Sequence, residues 1–445
     1  MNRAVVRGAW AVARSRLVAG ERPRIARPDP GLRTTAHGLR PTASKIHMPT
    51  LIIYDRRERA LVGAADAVLG AASAIVRPFR GRRSRPADPR RILLLRLERI
   101  GDLVMTLPAI RQIRASAPEA AIDLVVGRWN LPIARALPYV DSVDTLDAAW
   151  LARGTGGAGA TRTGRIVRCW RRRAYDVAIN FEPDIRSNLL LAASGAGWTA
   201  GWTSGGGGAL LDLGLEYDTR VHTTANARRL ASRVFGDAPD GPAPPLIAIP
   251  EEARRAAAAR MGRRPEGPAI GVHVSGGRLV KQWPPARFAD AARRLIESRN
   301  ATIVLTGSVS DRAMVDEVKT SLPADRVVDV AGDLDLLTLT AVLERLDLLI
   351  TGDTGPMHLA SAVGTPVVAV FGPSDPVRYA PDGPADRVVR AGLPCSPCNR
   401  IRRPPAHCVG HIPECLTGVP AASVYDAALS SLQASAGRPP THATA

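Results

Sequence analysis

Residues 347–376 read DLLITGDTGPMHLASAVGTPVVAVFGPSDP. The opening apolar run, DLLITG, ends on Thr351–Gly352 and has the length of a buried parallel strand. Asp353 and Thr354 then suit the start of a helix, because their side-chain oxygens accept from the free N–H groups of a first turn. Gly355 leaves the backbone open to a ligand. The positive end of such a helix, with its unpaired N–H groups, suits a diphosphate. His358, about one turn further on, lies on a face that meets the same ligand. A capped helix with an ordinary core histidine would read the same way. Position favours the ligand, since open α/β sheets bind at the carboxyl ends of their strands.

The same rhythm recurs on both sides. Upstream lie ILLLRL (92–97), IDLVVG (122–127) and YDVAIN (175–180), then AIGVHV (269–274), TIVLTG (302–307) and VVDVAG (327–332); downstream lies VVAVFG (367–372). Helical spacing separates these runs, as in LVMTLPAIRQIRAS (103–116) and in residues 287–298. The stretch GDAPDGPAPPLIAIP (236–250) breaks the alternation and reads as a linker. The expected fold is α/β, with two Rossmann-like domains whose parallel sheets face a central cleft. The expected boundaries are a basic extension over 1–88, a first domain over 89–240, a second over 241–390 and a Cys-containing tail over 391–445. That tail is expected to fold back on the N-terminal half.

Composition narrows the function classes. The chain has 445 residues, 45% of them hydrophobic, and a formal net charge of +19. Lys and Arg outnumber Asp and Glu by 19 to 6 in residues 1–90, so most of the excess sits there. Nucleic-acid binding would interleave aromatics with such a stretch; this one has almost none, and no nucleic-acid partner is expected. Residues 1–47 read as a tail without assigned fold, or as a start placed too early, with Met48 the true one. No apolar run is long enough to span a bilayer. The nearest, LVGAADAVLGAASAIV (61–76), is interrupted by Asp66 and flanked by Arg56, Arg57, Arg59, Arg77, Arg80, Arg82, Arg83 and Arg85. It reads equally as an amphipathic helix on a membrane surface and as a helix packed on the domain.

Three motifs stand in order along the chain. Gly101, Asp102, Leu103, Thr106, Leu107 and Pro108 follow the first strand; Lys281, Trp283 and Pro284 precede a helix; Asp353, Thr354, Gly355, His358, Leu359 and Ala360 are followed by Gly372, Pro373, Ser374, Asp375 and Pro376. With them the chain resembles glycosyltransferase family 9, the lipopolysaccharide heptosyltransferases. The resemblance implies the GT-B architecture and an inverting, metal-independent transfer of a sugar, heptose from ADP-heptose, onto a lipopolysaccharide core or related glycan. It assigns Asp102 as the base that takes the acceptor hydroxyl's proton. Lys281 is a compact cation suited to the leaving phosphate.

Donor contacts are expected from Ser275, Gly276, Lys281, Asp311, Leu334, Asp353, Thr354, Gly355 and His358. Acceptor contacts are expected from Glu182, Arg186 and His222. The expected partners are a nucleotide sugar, a lipid-linked glycan acceptor and an anionic membrane, with the protein cytoplasmic and peripheral at the inner membrane. The resemblance implies that no cofactor is required. Two other readings share the architecture, a sugar-nucleotide epimerase or hydrolase and a non-catalytic nucleotide-sugar-binding protein. Cys395, Cys398, Cys408 and Cys415, with His407 and His411 between, have the spacing of a structural zinc site; paired or free thiols are the alternatives.

Overall fold

The computed structural model describes residues 51–436, apart from 54, 81–82, 149, 152–156, 238–242, 264–265 and 333. The expectations for residues 1–47 fall outside the described residues, and so does the middle of the linker. All described residues belong to one unit, Thr50–Ala445.

Among the described residues, twelve strands form two six-stranded sheets. The first contains β1 (Arg91–Arg96), β2 (Ala121–Val126), β3 (Ser142–Thr145), β4 (Val177–Asn180), β5 (Trp198–Trp202) and β6 (Leu213–Leu215), in the order β3-β2-β1-β4-β5-β6. The second contains β7 (Ala269–His273), β8 (Thr302–Thr306), β9 (Val327–Asp329), β10 (Leu348–Gly352), β11 (Val367–Val370) and β12 (Arg387–Val389), in the order β12-β11-β10-β7-β8-β9. Each strand pairs in parallel with its neighbours; Leu94 lies opposite Leu124 and Ile179, and Ile350 opposite Val272 and Val368. Ile92, Leu93, Leu94 and Leu95 are all fully buried, which is why β1 reads as an unbroken apolar run rather than an alternation. Both sheets reverse direction of winding at one place, between β1 and β4 and between β7 and β10. Ligand sites in open sheets form at such points.

The linker is anchored to the first half. Ala248 N–H donates to Ala136 O at 2.8 Å, and the Tyr139 hydroxyl donates to Leu246 O at 2.8 Å. The tail departs from expectation. Its helix, Ala421–Ser435, buries Val424 and Ala428 in the core of the second half, not the first, because that small apolar stripe matches the face beside β10 to β12. Trp283 joins the same core: it packs edge-on against Phe288 at 4.6 Å and donates to Val419 O at 3.2 Å.

Helix Arg56–Arg80 lies on the first half. Asp66 Oδ1 accepts from Gly207 N–H at 2.6 Å and the Ser73 hydroxyl donates to Ala209 O at 2.9 Å. A Cβ at Gly206 would meet Val62 at 2.7 Å, so glycine there lets the helix approach.

Candidate active site

The two switch points open onto one cleft of about 1360 Å³. Glu98, Gly101, Asp102 and Met105 line it from the first half; Ser275, Gly276, Lys281, Asp353, Gly355 and His358 line it from the second.

On the second-half wall the chain leaves β7 and turns back sharply. A Cβ at Gly276 would lie 2.6 Å from the carbonyl carbon and oxygen of Lys281, so only glycine fits this turn. The buried Gln282 amide holds it closed. Its Oε1 accepts from Gly276 N–H at 2.7 Å, while its Nε2 donates to Val274 O at 2.6 Å and Trp283 O at 2.7 Å. Lys281 is thereby aimed into the cleft, where its Nζ pairs with Asp353 Oδ2 at 2.8 Å. Burial works to raise the Asp353 pKa, but the charge and hydrogen bond of Lys281 and a hydrogen bond from Ser374 outweigh it, leaving the carboxyl below its ordinary range. Asp353 stays ionised and uses one of three lysine donors. The helix Gly355–Ala362 begins beside it, with the N-terminal residues Thr354, Gly355 and Pro356 on the cleft wall.

His358 stands one turn along this helix. Burial lowers its pKa to about 4, against the pull of Asp353 and Asp102, so the ring is neutral near pH 7. The ring reaches across to the first half: a Cβ at Gly101 would come within 2.5 Å of His358 Cδ2.

On the first-half wall, helix Ile100–Ser116 starts with Asp102 in its first turn, and Asp102 Oδ2 accepts from Arg99 N–H at 3.1 Å. Beneath it sits Arg96, almost wholly buried, its Nη1 donating to Phe181 O at 2.7 Å. Arg96 also faces Glu98 at 2.9 Å and Asp102 at 3.6 Å. Three carboxylates thus crowd one guanidinium, Glu182 being the third. Burial pushes Glu98 up to about 8, helped by the negative charges of Asp102, Glu182 and Asp184 and opposed by Arg96. Glu98 therefore gives up its proton less readily than an ordinary carboxyl, while sharing a cation with Asp102.

The remaining predicted residues divide. Ser275 lines the cleft and its hydroxyl accepts from Gly277 N–H at 3.2 Å. Asp311 and Leu334 are not among the lining residues. Asp311 instead closes its own turn, accepting from Ser308 N–H at 2.8 Å and from the Ser308 hydroxyl at 2.5 Å, and Leu334 packs on the core. Glu182 is buried and bonded to Leu97 N–H and the Ser187 hydroxyl, so it braces the β1–β4 switch and does not face the cleft. His222 caps helix Thr223–Phe235, accepting from Thr224 N–H at 3.2 Å, and its Nε2 lies 2.9 Å from Ala380 O. Arg186 pairs with Asp184 at 2.5 Å and lies over the Trp150 ring at 5.1 Å; Trp150 does line the cleft.

The four C-terminal thiols are near neighbours, and burial with their mutual charge pushes Cys415 up to about 11. Among the described residues no group of three or more His, Cys, Asp or Glu is arranged to hold a metal ion, so the zinc expectation finds no support here. The loop that carries them has another tie: Cys398 and Asn399 N–H groups donate to Pro373 O at 3.1 and 2.7 Å, and Asn399 Oδ1 accepts from Asp375 N–H at 2.9 Å. Asn399, Ile401 and Arg402 thereby come to line the cleft.

Comparison with known proteins agrees with this arrangement. The model of glycosyltransferase family 9 (heptosyltransferase) matches residues 163–407. Lipopolysaccharide heptosyltransferase 2 of Escherichia coli K12 is 25% identical over 317 residues, covering 67% of this chain and 88% of its own. Lipopolysaccharide heptosyltransferase 1 of Pseudomonas aeruginosa is 24% identical, covering 69% and 86%. Among solved structures, the family 9 glycosyl transferase of Veillonella parvula superposes with a TM-score of 0.66 at 24% identity, covering 77% of this chain and 97% of its own. The E. coli ADP-heptose heptosyltransferase II superposes with a TM-score of 0.61 at 22% identity, covering 77% and 98%. The fold of both is that of the two sheets described above.

Proposed function

We propose a reaction from one premise: the chain belongs to glycosyltransferase family 9 (heptosyltransferase), and is a glycosyltransferase that uses a nucleotide sugar. The proposal is an inverting transfer, without a metal, of heptose from ADP-heptose to a lipopolysaccharide core or related glycan. The observation that carries it is the meeting of Asp102 and Lys281 across one cleft, each beside a switch point of its own sheet.

In this reading the half over 241–390 binds the donor. Lys281 and the N-terminus of helix Gly355–Ala362 take the diphosphate, and together they offset the charge that builds on the leaving group. Asp353 holds the Lys281 ammonium in place. Neutral His358 offers a hydrogen bond without adding charge. The half over 89–240 presents the acceptor, whose hydroxyl attacks the anomeric carbon from the face opposite the diphosphate. The bond to the diphosphate breaks as the new one forms, and Asp102 takes the hydroxyl's proton. Trp150, with Arg186 over it, supplies an aromatic wall for acceptor sugars. The acceptor is lipid-linked, and the enzyme works at the cytoplasmic face of the inner membrane.

The donor is tested by calorimetric titration of ADP, GDP and UDP. Selective binding of ADP is expected; preference for UDP or GDP would discard ADP-heptose while keeping a nucleotide-sugar transferase.

A further inference from the structure

Helix Arg56–Arg80 is amphipathic in an unusual sense. Its two polar mid-helix residues, Asp66 and Ser73, point inward and are consumed by bonds to Gly207 N–H and Ala209 O. Its outward face is apolar: every exposed residue from Ala60 to Ile75 is Ala, Leu, Val or Ile. Leu61, Val68 and Ile75, one heptad apart, are 73%, 69% and 70% exposed, the highest values among the exposed large hydrophobic side chains of the described residues. Such a stripe in water is unfavourable, and contiguous exposed apolar surface marks an interaction site.

Charge identifies the occupant. Arg56, Arg57 and Arg59 are exposed at the start of the helix. The helix rests on the Gly208–Leu210 turn, and that turn contacts helix Ile185–Ala193. Helix Ile185–Ala193 also touches the helix Ala160–Arg173, whose Arg162, Arg165, Arg168, Arg171 and Arg172 are exposed. Arg83, past the end of the first helix, donates to Gly197 O at 3.3 Å, and Arg171 lies against Gly195, so both arginines bracket one turn. A second copy of this chain on the apolar stripe would bring these like charges together. An anionic surface would not.

We propose that the outward face of helix Arg56–Arg80 lies flat in the interface of an anionic lipid bilayer, with Leu61, Val68 and Ile75 inserted and Arg56, Arg57 and Arg59 on the headgroups. No described helix is long and apolar enough to cross a membrane, so the helix rests on the surface. A stripe of this kind gains from apolar burial and from headgroup attraction together. The purpose rests on the proposed lipid-linked acceptor, because docking this helix brings the acceptor half to the membrane; the surface itself does not rest on it.

The test is flotation of the full chain with vesicles of phosphatidylcholine plus phosphatidylglycerol, and with phosphatidylcholine alone. Binding to the anionic vesicles is expected, weakened by salt. The variant Leu61→Gln/Val68→Gln/Ile75→Gln should bind at least about tenfold more weakly, and Arg56→Gln/Arg57→Gln about fivefold per charge on anionic vesicles. Both should keep the native melting temperature, because the altered side chains are exposed. Unchanged vesicle binding by the triple glutamine variant would overturn the proposal. So would a native chain that ignores vesicles but self-associates through a contact the triple variant dissolves, which would give the face to a second copy. Vesicle binding that follows these variants in a protein with no transferase activity would sink the transferase reading alone.

Discussion

Gly101 and His358 meet where the halves touch: a Cβ on the glycine would stand 2.5 Å from Cδ2 and 2.9 Å from Nε2 of the imidazole. The contact joins the first turn of helix Ile100–Ser116, which carries Asp102, to helix Gly355–Ala362, which follows Asp353. The two helices pack against each other there. Gly101→Ala should force the ring or the helices apart, costing about 1–3 kcal/mol, seen as a lower melting temperature with a matching loss of transfer. Gly164→Ala is the control. It lies inside helix Ala160–Arg173 with nothing within 4 Å of the new Cβ, and should stabilise by roughly 0.5–1 kcal/mol.

Asp102→Asn keeps the shape of the side chain and removes its basicity. Transfer should fall by about a hundredfold or more, with ADP affinity within about twofold of native. Full activity in this variant would remove Asp102 as the base.

Lys281→Ala acts twice, on the phosphate and on Asp353, which it leaves buried and unpaired. Breaking such a pair costs about 3 kcal/mol, so both stability and ADP binding should drop. Adding Asp353→Asn should return much of the stability, measured by urea unfolding, without returning ADP affinity. Recovery of both would mean that the lysine serves the fold alone.

Two buried histidines set the acid limit of stability. Burial lowers His273 and His358 from 6.5 to about 4, so in the folded protein both are neutral where the unfolded chain protonates them. Their share of the stability is then full above about pH 6.5 and lost as pH falls toward 4, by at most roughly 3 kcal/mol per group. In a Glu98→Gln background, which removes the opposing carboxyl, urea unfolding from about pH 7 down to about pH 5 should show the decline, and adding His358→Gln should remove about half of it.

Glu98 has the opposite sign. Its folded pKa is raised from 4.5 to about 8, so the folded protein binds a proton that the unfolded chain releases. Its contribution is present at low pH and is lost as pH rises toward 8. Above the histidine window the native protein should lose stability with rising pH, and Glu98→Gln should flatten that slope.

What the sequence reveals follows from where the signal resides. The central strands are buried on both faces and show as apolar runs; β10 and its Asp353–Thr354–Gly355 turn stand where the spacing places them. Four strands left no such mark. Ser142–Thr145, Leu213–Leu215 and Arg387–Val389 are short edge strands and partly exposed, while Trp198–Trp202 mixes Thr, Ala and Gly between its tryptophans. In the site, residues on strand-end turns were legible, because a short turn fixes where their side chains go. Gln282 was not, since nothing local says that its amide will be buried under the Gly276 turn. Glu98 sits only four residues before Asp102, yet its raised pKa depends on burial and on the charges of Glu182 and Asp184, which arrive from the segment after β4. Asp311 and Leu334 were assigned to the donor from local position; the structure places Asp311 in the Ser308 turn, bonded also to the cleft residue Ser275, and Leu334 against the core.

The decisive measurement is of transfer itself. The full chain and its Asp102→Asn variant would be incubated with ADP-heptose and heptose-deficient lipopolysaccharide, following ADP release and the anomeric configuration of the new linkage by NMR. ADP release that requires both acceptor and Asp102 is expected, with inverted configuration in the product. ADP release without acceptor, or acceptor-dependent transfer undiminished in Asp102→Asn, would contradict the proposed mechanism.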